Sequence, residues 1–152
     1  MRTRTAEWFE CKIRYEKTID DGSMKKVTET YTVDALSFTE AEKRVTEEMS
    51  AYISGAFEVA NISPASYSEI FFSDADDADK WYKAKLQFIT IDEKTAKEKR
   101  TNVYYLVQGS SLKDALKNIE EVMGTTMVDY QIASIADTAV MDVFEFANSE
   151  KK

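Results

Sequence analysis

Residues 8–72 return, in order, as residues 81–146, and a chain that carries one pattern twice must fold so that both copies can use it. Three blocks align, and their offset shifts by only a residue or two, as a hairpin tip of altered length would produce. Trp8-Phe9-Glu10-Cys11-Lys12-Ile13-Arg14-Tyr15 answers to Trp81-Tyr82-Lys83-Ala84-Lys85-Leu86-Gln87-Phe88. Residues 31–49 match 105–123, keeping Tyr31/Tyr105, Val33/Val107, Ser37/Ser111, Ala41/Ala115 and Met49/Met123. The third block sets 57–62 against 130–135 and 69–71 against 142–144. A chain of 152 residues can bury a good core, whereas one copy of roughly 70 residues would be marginal alone. We therefore expect a single domain over residues 1–152, with repeats 8–72 and 81–146 joined by an acidic connector, 73–80.

Each copy reads the same way. Phe9, Cys11, Ile13 and Tyr15 alternate with Trp8, Glu10, Lys12 and Arg14, the period-two pattern of a half-buried strand. Asp20-Asp21-Gly22-Ser23 is a turn signal, so 27–35 reads as the returning strand of a hairpin. The counterpart hairpin runs over 81–91 and 100–108. Ser37 and Ser111 each stand three residues before an acid, Glu40 and Asp114, which predicts two capped helices. One helix has the apolar stripe Phe38, Ala41, Val45, Met49 and Tyr52; the other has Leu112, Ala115, Leu116, Ile119, Val122 and Met123. Gly55 and Gly124 stand where left-handed closing residues are expected. Two β-rich segments follow each helix, 56–62 and 67–72, then 127–135 and 140–146, with Pro64 at the first break.

The expected fold is α+β: two pseudo-symmetric strand-strand-helix-strand-strand repeats, each an antiparallel sheet covered by one helix. Across the junction, four strands precede the second helix, an order that resembles, in circularly shifted form, the Whirly and Pur single-stranded nucleic-acid binders. The likeness is one of fold and does not itself carry function.

Composition removes several functions. Histidine is absent and Cys11 is the one cysteine, so there is no Ser-His-Asp or Cys-His pair, no Cys/His zinc site and no intrachain disulfide. Ala84 stands opposite Cys11 in the alignment, which favours a small core residue over a nucleophile. With four glycines the chain has no phosphate-cradling loop, and no cofactor or metal is implied. No apolar run reaches membrane-spanning length and no signal-peptide core follows Met1, so a cytoplasmic protein is expected. A net charge of −8 opposes broad attraction to phosphates, yet residues 80–109 hold seven Lys or Arg against three Asp or Glu.

That local excess points to a binding surface. Trp8, Lys12 and Arg14 on one hairpin, and Trp81, Lys83 and Lys85 on the other, lie on the strand faces turned away from the expected core, with Lys99 and Arg100 on the return strand. Indoles stack bases while cations neutralise phosphates, so a non-enzymatic single-stranded nucleic-acid binder is the first reading. The rival is a protein-interaction or assembly module, in which the tryptophans and an exposed sheet edge dock a protein partner or a second copy as a homodimer. A hydrolase using the hairpin-tip carboxylates Asp20, Asp21, Asp92 and Glu93 comes third, because turn chemistry already explains them.

The strings at 8–18, 33–42, 88–95 and 130–138 (WFECKIRYEKT, VDALSFTEAE, FITIDEKT and YQIASIADT) resemble a family found chiefly in Bacteroidetes and catalogued as domain of unknown function 4494. The resemblance covers nearly the whole chain. It implies no activity, cofactor or site residue, and it points away from familiar enzyme families.

Overall fold

The computed structural model describes residues 1–146. Its strands are β1 (Arg2–Arg4), β2 (Trp8–Thr18), β3 (Met24–Asp34), β4 (Phe57–Ala65), β5 (Glu69–Phe72), β6 (Lys80–Ile91), β7 (Glu98–Gly109), β8 (Tyr130–Asp137) and β9 (Val140–Phe144). The helices are α1 (Phe38–Tyr52) and α2 (Leu112–Met123). Residues 6–65 and the segment from Ala139 form one compact unit; residues 1–5 and 66–138 form the other.

The first unit is a sheet of order β4-β2-β3-β9 carrying α1. Alternation in β2 turns Phe9, Cys11 and Ile13 inward, where they meet Val33, Ala41, Val45 and Met49. The second unit is a sheet of order β1-β5-β7-β6-β8 carrying α2, with Tyr82, Ala84, Leu86, Val107, Ala115 and Ile119 at its centre. The fold is thus α+β, two helices on two sheets, built mainly from antiparallel pairs.

Neither sheet is purely antiparallel, which corrects the expected arrangement. β5 follows β4 in the chain but pairs in parallel with β7, and β9 follows β8 but pairs in parallel with β3. Each unit therefore receives its parallel strand from the other sequence copy. Ile70, Phe71 and Phe72 are all buried, the mark of a strand enclosed on both faces. β5 accordingly sits inside its sheet, with β1 closing its other side. Residues 73–80, expected as a connector between repeats, lie inside the second unit, where Ala78 is buried.

Local details both follow and depart from the sequence pattern. Ser37 Oγ accepts the Glu40 amide at 3.1 Å while Glu40 Oε1 accepts the Leu36 amide at 3.0 Å. Ser111 and Asp114 repeat this, at 3.1 Å and at 2.9 Å from the Ser110 amide. Gly124, in contrast, is right-handed helical, and α1 closes on an extended Ile53. Among the described residues the left-handed positions are Gly22 and Ala96, in the hairpin turns. Pro64 lies within β4 and not at its end; β4 is an edge strand, where a missing amide is tolerated.

One residue at the end of each hairpin joins three elements. The Asp34 carbonyl accepts Arg44 Nη1 from α1 at 2.6 Å, and Asp34 Oδ1 accepts the Phe146 amide beyond β9 at 2.8 Å. In the other unit the Gln108 carbonyl accepts Asn118 Nδ2 from α2 at 2.9 Å, and Gln108 Oε1 accepts the Ser73 amide beyond β5 at 2.9 Å. One latch is an ion pair and the other is neutral, with the same connections. Truncating half of a buried charged pair strands its partner, whereas replacing both with a neutral pair costs little. Asp34→Ala is therefore expected to lose about 3 kcal/mol of stability, and Gln108→Ala about 1–2 kcal/mol. Asp34→Gln combined with Arg44→Asn, copying the neutral latch, stays within about 1 kcal/mol of the parent chain in urea unfolding followed by circular dichroism.

Candidate functional site

In the second unit, α2 covers one sheet face and leaves the other helix-free. Tyr82, Ala84 and Leu86 point to α2, so Lys83, Lys85 and Gln87 point to the opposite face. Tyr105 and Val107 likewise point to α2, which sends Arg100, Asn102 and Tyr104, and the fully buried Leu106 opposite Lys83, from β7 to the side of Lys83. Lys85 lies directly across from Tyr104 in the ladder, and Lys83 Nζ sits 5.1 Å from the Tyr104 ring centre and 5.9 Å from that of Tyr67. An ammonium at that distance is drawn to the ring's negative face.

A polar network continues this patch across three strands. Arg100 Nη1 donates to Gln131 Oε1 at 2.6 Å and to Gln87 Oε1 at 3.3 Å, and Gln87 Nε2 donates to Asn102 Oδ1 at 3.2 Å. Glu98 Oε2 accepts Arg100 Nε at 3.0 Å. Arg100, Asn102 and Gln131 are exposed, and Tyr104 is half-buried. The result is a surface on which cations, amides and the Tyr104 ring share one face, with the buried Tyr67 ring beside Lys83.

The sequence-selected residues divide among different places. Trp8 and Trp81 are 2 % and 3 % exposed, and Trp81 packs edge-on against Phe72 at 5.5 Å. Neither indole offers a face to solvent, so neither is open to a base in this conformation; a side chain this large gains most from burial. Lys12 and Arg14 lie on the helix-free face of β2, exposed, with Arg14 Nη1 3.9 Å from Glu58 Oε1. Lys83, Lys85 and Arg100 share one face of the second unit. Lys99 is exposed but takes the opposite, α2-side direction, because it neighbours Arg100 in a strand.

Tyr104 was not among the residues selected from the sequence. Its neighbour Tyr105 is interior, stacked at 4.8 Å on Phe71, with its phenol pushed up to about 12 by burial and secondarily by Glu69. The inward series Val103, Tyr105, Val107 contained the signal, since it leaves Tyr104 on the other face.

Other reactive groups are held by structure. Asp21 Oδ1 accepts the Ser23 hydroxyl and amide, which hold its carboxyl below the usual carboxylate range. Asp92 Oδ1 accepts the Lys94 amide at 2.8 Å. Both carboxylates close exposed turns. Tyr15 and Tyr31 both donate to Glu29 Oε1, at 2.8 and 3.0 Å, and burial, then Glu29, drive the Tyr31 phenol upward. Among the described residues no group of three or more His, Cys, Asp or Glu is placed to hold a metal ion, and no helix is long and apolar enough to cross a membrane.

Cys11 is fully buried, and burial, followed by the Glu10 charge, raises its thiol to about 12. A thiol held protonated and enclosed is a poor nucleophile. Native protein at pH 8 is expected to resist a disulfide-exchange reagent, whereas denatured protein reacts at one thiol per chain, read by absorbance.

These features define a class: a small α+β protein whose two mixed sheets each carry one helix, with a basic, tyrosine-centred sheet face in one unit. The chain belongs to the family described as Domain of unknown function (DUF4494), whose model matches residues 7–146. No curated protein and no solved structure is significantly similar to it.

Proposed function

We propose that this protein acts by binding and not by catalysis, and that it binds single-stranded nucleic acid on the helix-free face of the β1-β5-β7-β6-β8 sheet. The observation that carries the reading is the placement of Lys83 and Lys85 beside the half-buried Tyr104, with Arg100 farther along the same face. Cations on a sheet neutralise successive phosphates, and an aromatic between them supplies a stacking surface. The amides of Gln87, Asn102 and Gln131 offer hydrogen bonds to bases or sugars. Lys12 and Arg14 are exposed on the other unit's sheet, while Trp8 and Trp81 are buried. The mode is that of a Whirly- or Pur-like sheet platform. One buried thiol without a disulfide fits a reducing cytoplasm. The net charge of −8 confines attraction to this patch, which favours modest, salt-sensitive affinity.

Anisotropy titration of labelled single-stranded oligonucleotides at several salt concentrations tests the reading. Binding should weaken with salt, and Lys83→Ala with Lys85→Ala should reduce the slope of log K against log salt by about 1.4, at about 0.7 per phosphate contact. Tyr104→Ala should cost about 1–3 kcal/mol while Tyr104→Phe keeps the affinity. Absence of salt-sensitive binding by any oligonucleotide overturns the assignment.

A further inference from the structure

We infer that β8 is a self-association edge, and that the protein forms a two-fold dimer by antiparallel pairing of β8 with β8 of a second copy. β8 ends its sheet, and no strand of the described residues pairs with its outer side. Such an edge exposes a row of amides and carbonyls and is normally protected by proline, charge or shortness. The other three sheet edges have that protection. β1 spans three residues, two of them arginines; β9 spans five with Asp142 at its centre, whereas the aspartate of β8, Asp137, is its last residue; β4 carries Glu58 and Pro64.

The comparison between β4 and β8 is direct, because they occupy equivalent places beside their hairpins. Glu58 pairs with Arg14 where Gln131 pairs with Gln87, and Pro64 pairs with Phe9 where Asp137 pairs with Tyr82. At the first of these register positions β4 has a charge and β8 a neutral amide; at the second, β4 has a proline and β8 has Asp137, a charge at the strand's last residue that keeps its amide donor. Both strands carry a bulge, so the bulge does not distinguish them. It shortens the ladder a partner can form.

The charge pattern selects the occupant. Two-fold antiparallel pairing sets a strand against itself, so any charge near the axis meets its own kind. From Tyr130 to Ala136 there is no charged residue, in a chain whose net charge of −8 repels a second copy elsewhere. The edge also leaves apolar surface for a partner to cover. Ile132 and Ile135 pack on the core yet stay half-buried, and the strand's approach exposes Val128 at 42 % and Met127 fully.

Sedimentation equilibrium of the full chain over a wide concentration range gives the test. A reversible monomer–dimer equilibrium is expected, with the amides of β8 gaining hydrogen-exchange protection as concentration rises. Gln131→Glu with Asp137→Pro, which installs the protection seen in β4, should leave a monomer with an unchanged circular dichroism spectrum. Ala133→Lys, placing a charge at an exposed position, should do the same if the proline substitution disturbs folding. A parent chain that stays monomeric throughout, or a dimer that persists in natively folded variants, overturns the inference. So does a monomer whose β8 edge is protected only on adding another protein.

Discussion

The end of each hairpin is the point on which its unit depends. A helix laid on a sheet and a parallel strand added beside it must both be fixed in register; a short loop ties each helix to its hairpin, but the parallel strand arrives from the other sequence copy. Asp34 fixes both in one unit and Gln108 in the other, the carbonyl holding the helix and the side-chain oxygen holding the backbone beyond the added strand. Buried backbone amides require acceptors, so these side chains satisfy groups that would otherwise be stranded. The charged version also brings Arg44 over the Phe146 ring, at 5.3 Å. Two chemistries thus serve one geometric need.

That geometry controls which surface is open. With α2 on one face of the second sheet, alternation along β6 and β7 leaves lysines, an arginine and a tyrosine on the other. At the start of the same face, Trp81 is buried beside Phe72, and the polar network of Arg100, Gln87 and Gln131 spans the far end. Burial therefore grades along the strands, from an apolar, enclosed end to a polar, exposed end. The corresponding face of β2 offers Lys12 and Arg14 but engages Arg14 with Glu58. The proposed binding surface need not be shared by both units even though their folds correspond.

Much of the fold was legible because local physics determines it. Period-two alternation marked the hairpins, hydroxyl-to-acid spacing marked both helix starts, and the apolar stripes marked the helix faces. The stripes overreached at their ends: Phe38 and Tyr52 are mostly exposed, because a helix on a sheet buries only its central contact positions. β1 carried no signal, since Arg-Thr-Arg has no apolar pattern and becomes a strand only by pairing with β5. Of the site, Lys83, Lys85 and Arg100 were readable from their positions on the hairpin. The tryptophans were readable as residues but not as buried ones, because alternation assigns a face without saying whether anything covers it.

By itself, the sequence determined the element order, the capped helices, the inward residues of each hairpin and the absence of histidine chemistry, all of which rest on neighbours within a few positions. Tertiary structure alone decided that β5 and β9 join the sheet of the other copy, that Tyr104 is more exposed than Trp81, and that β8 ends its sheet among the described residues. The reason is physical: strand pairing and burial are set by residues distant in the chain, and a strand's own pattern is compatible with more than one partner.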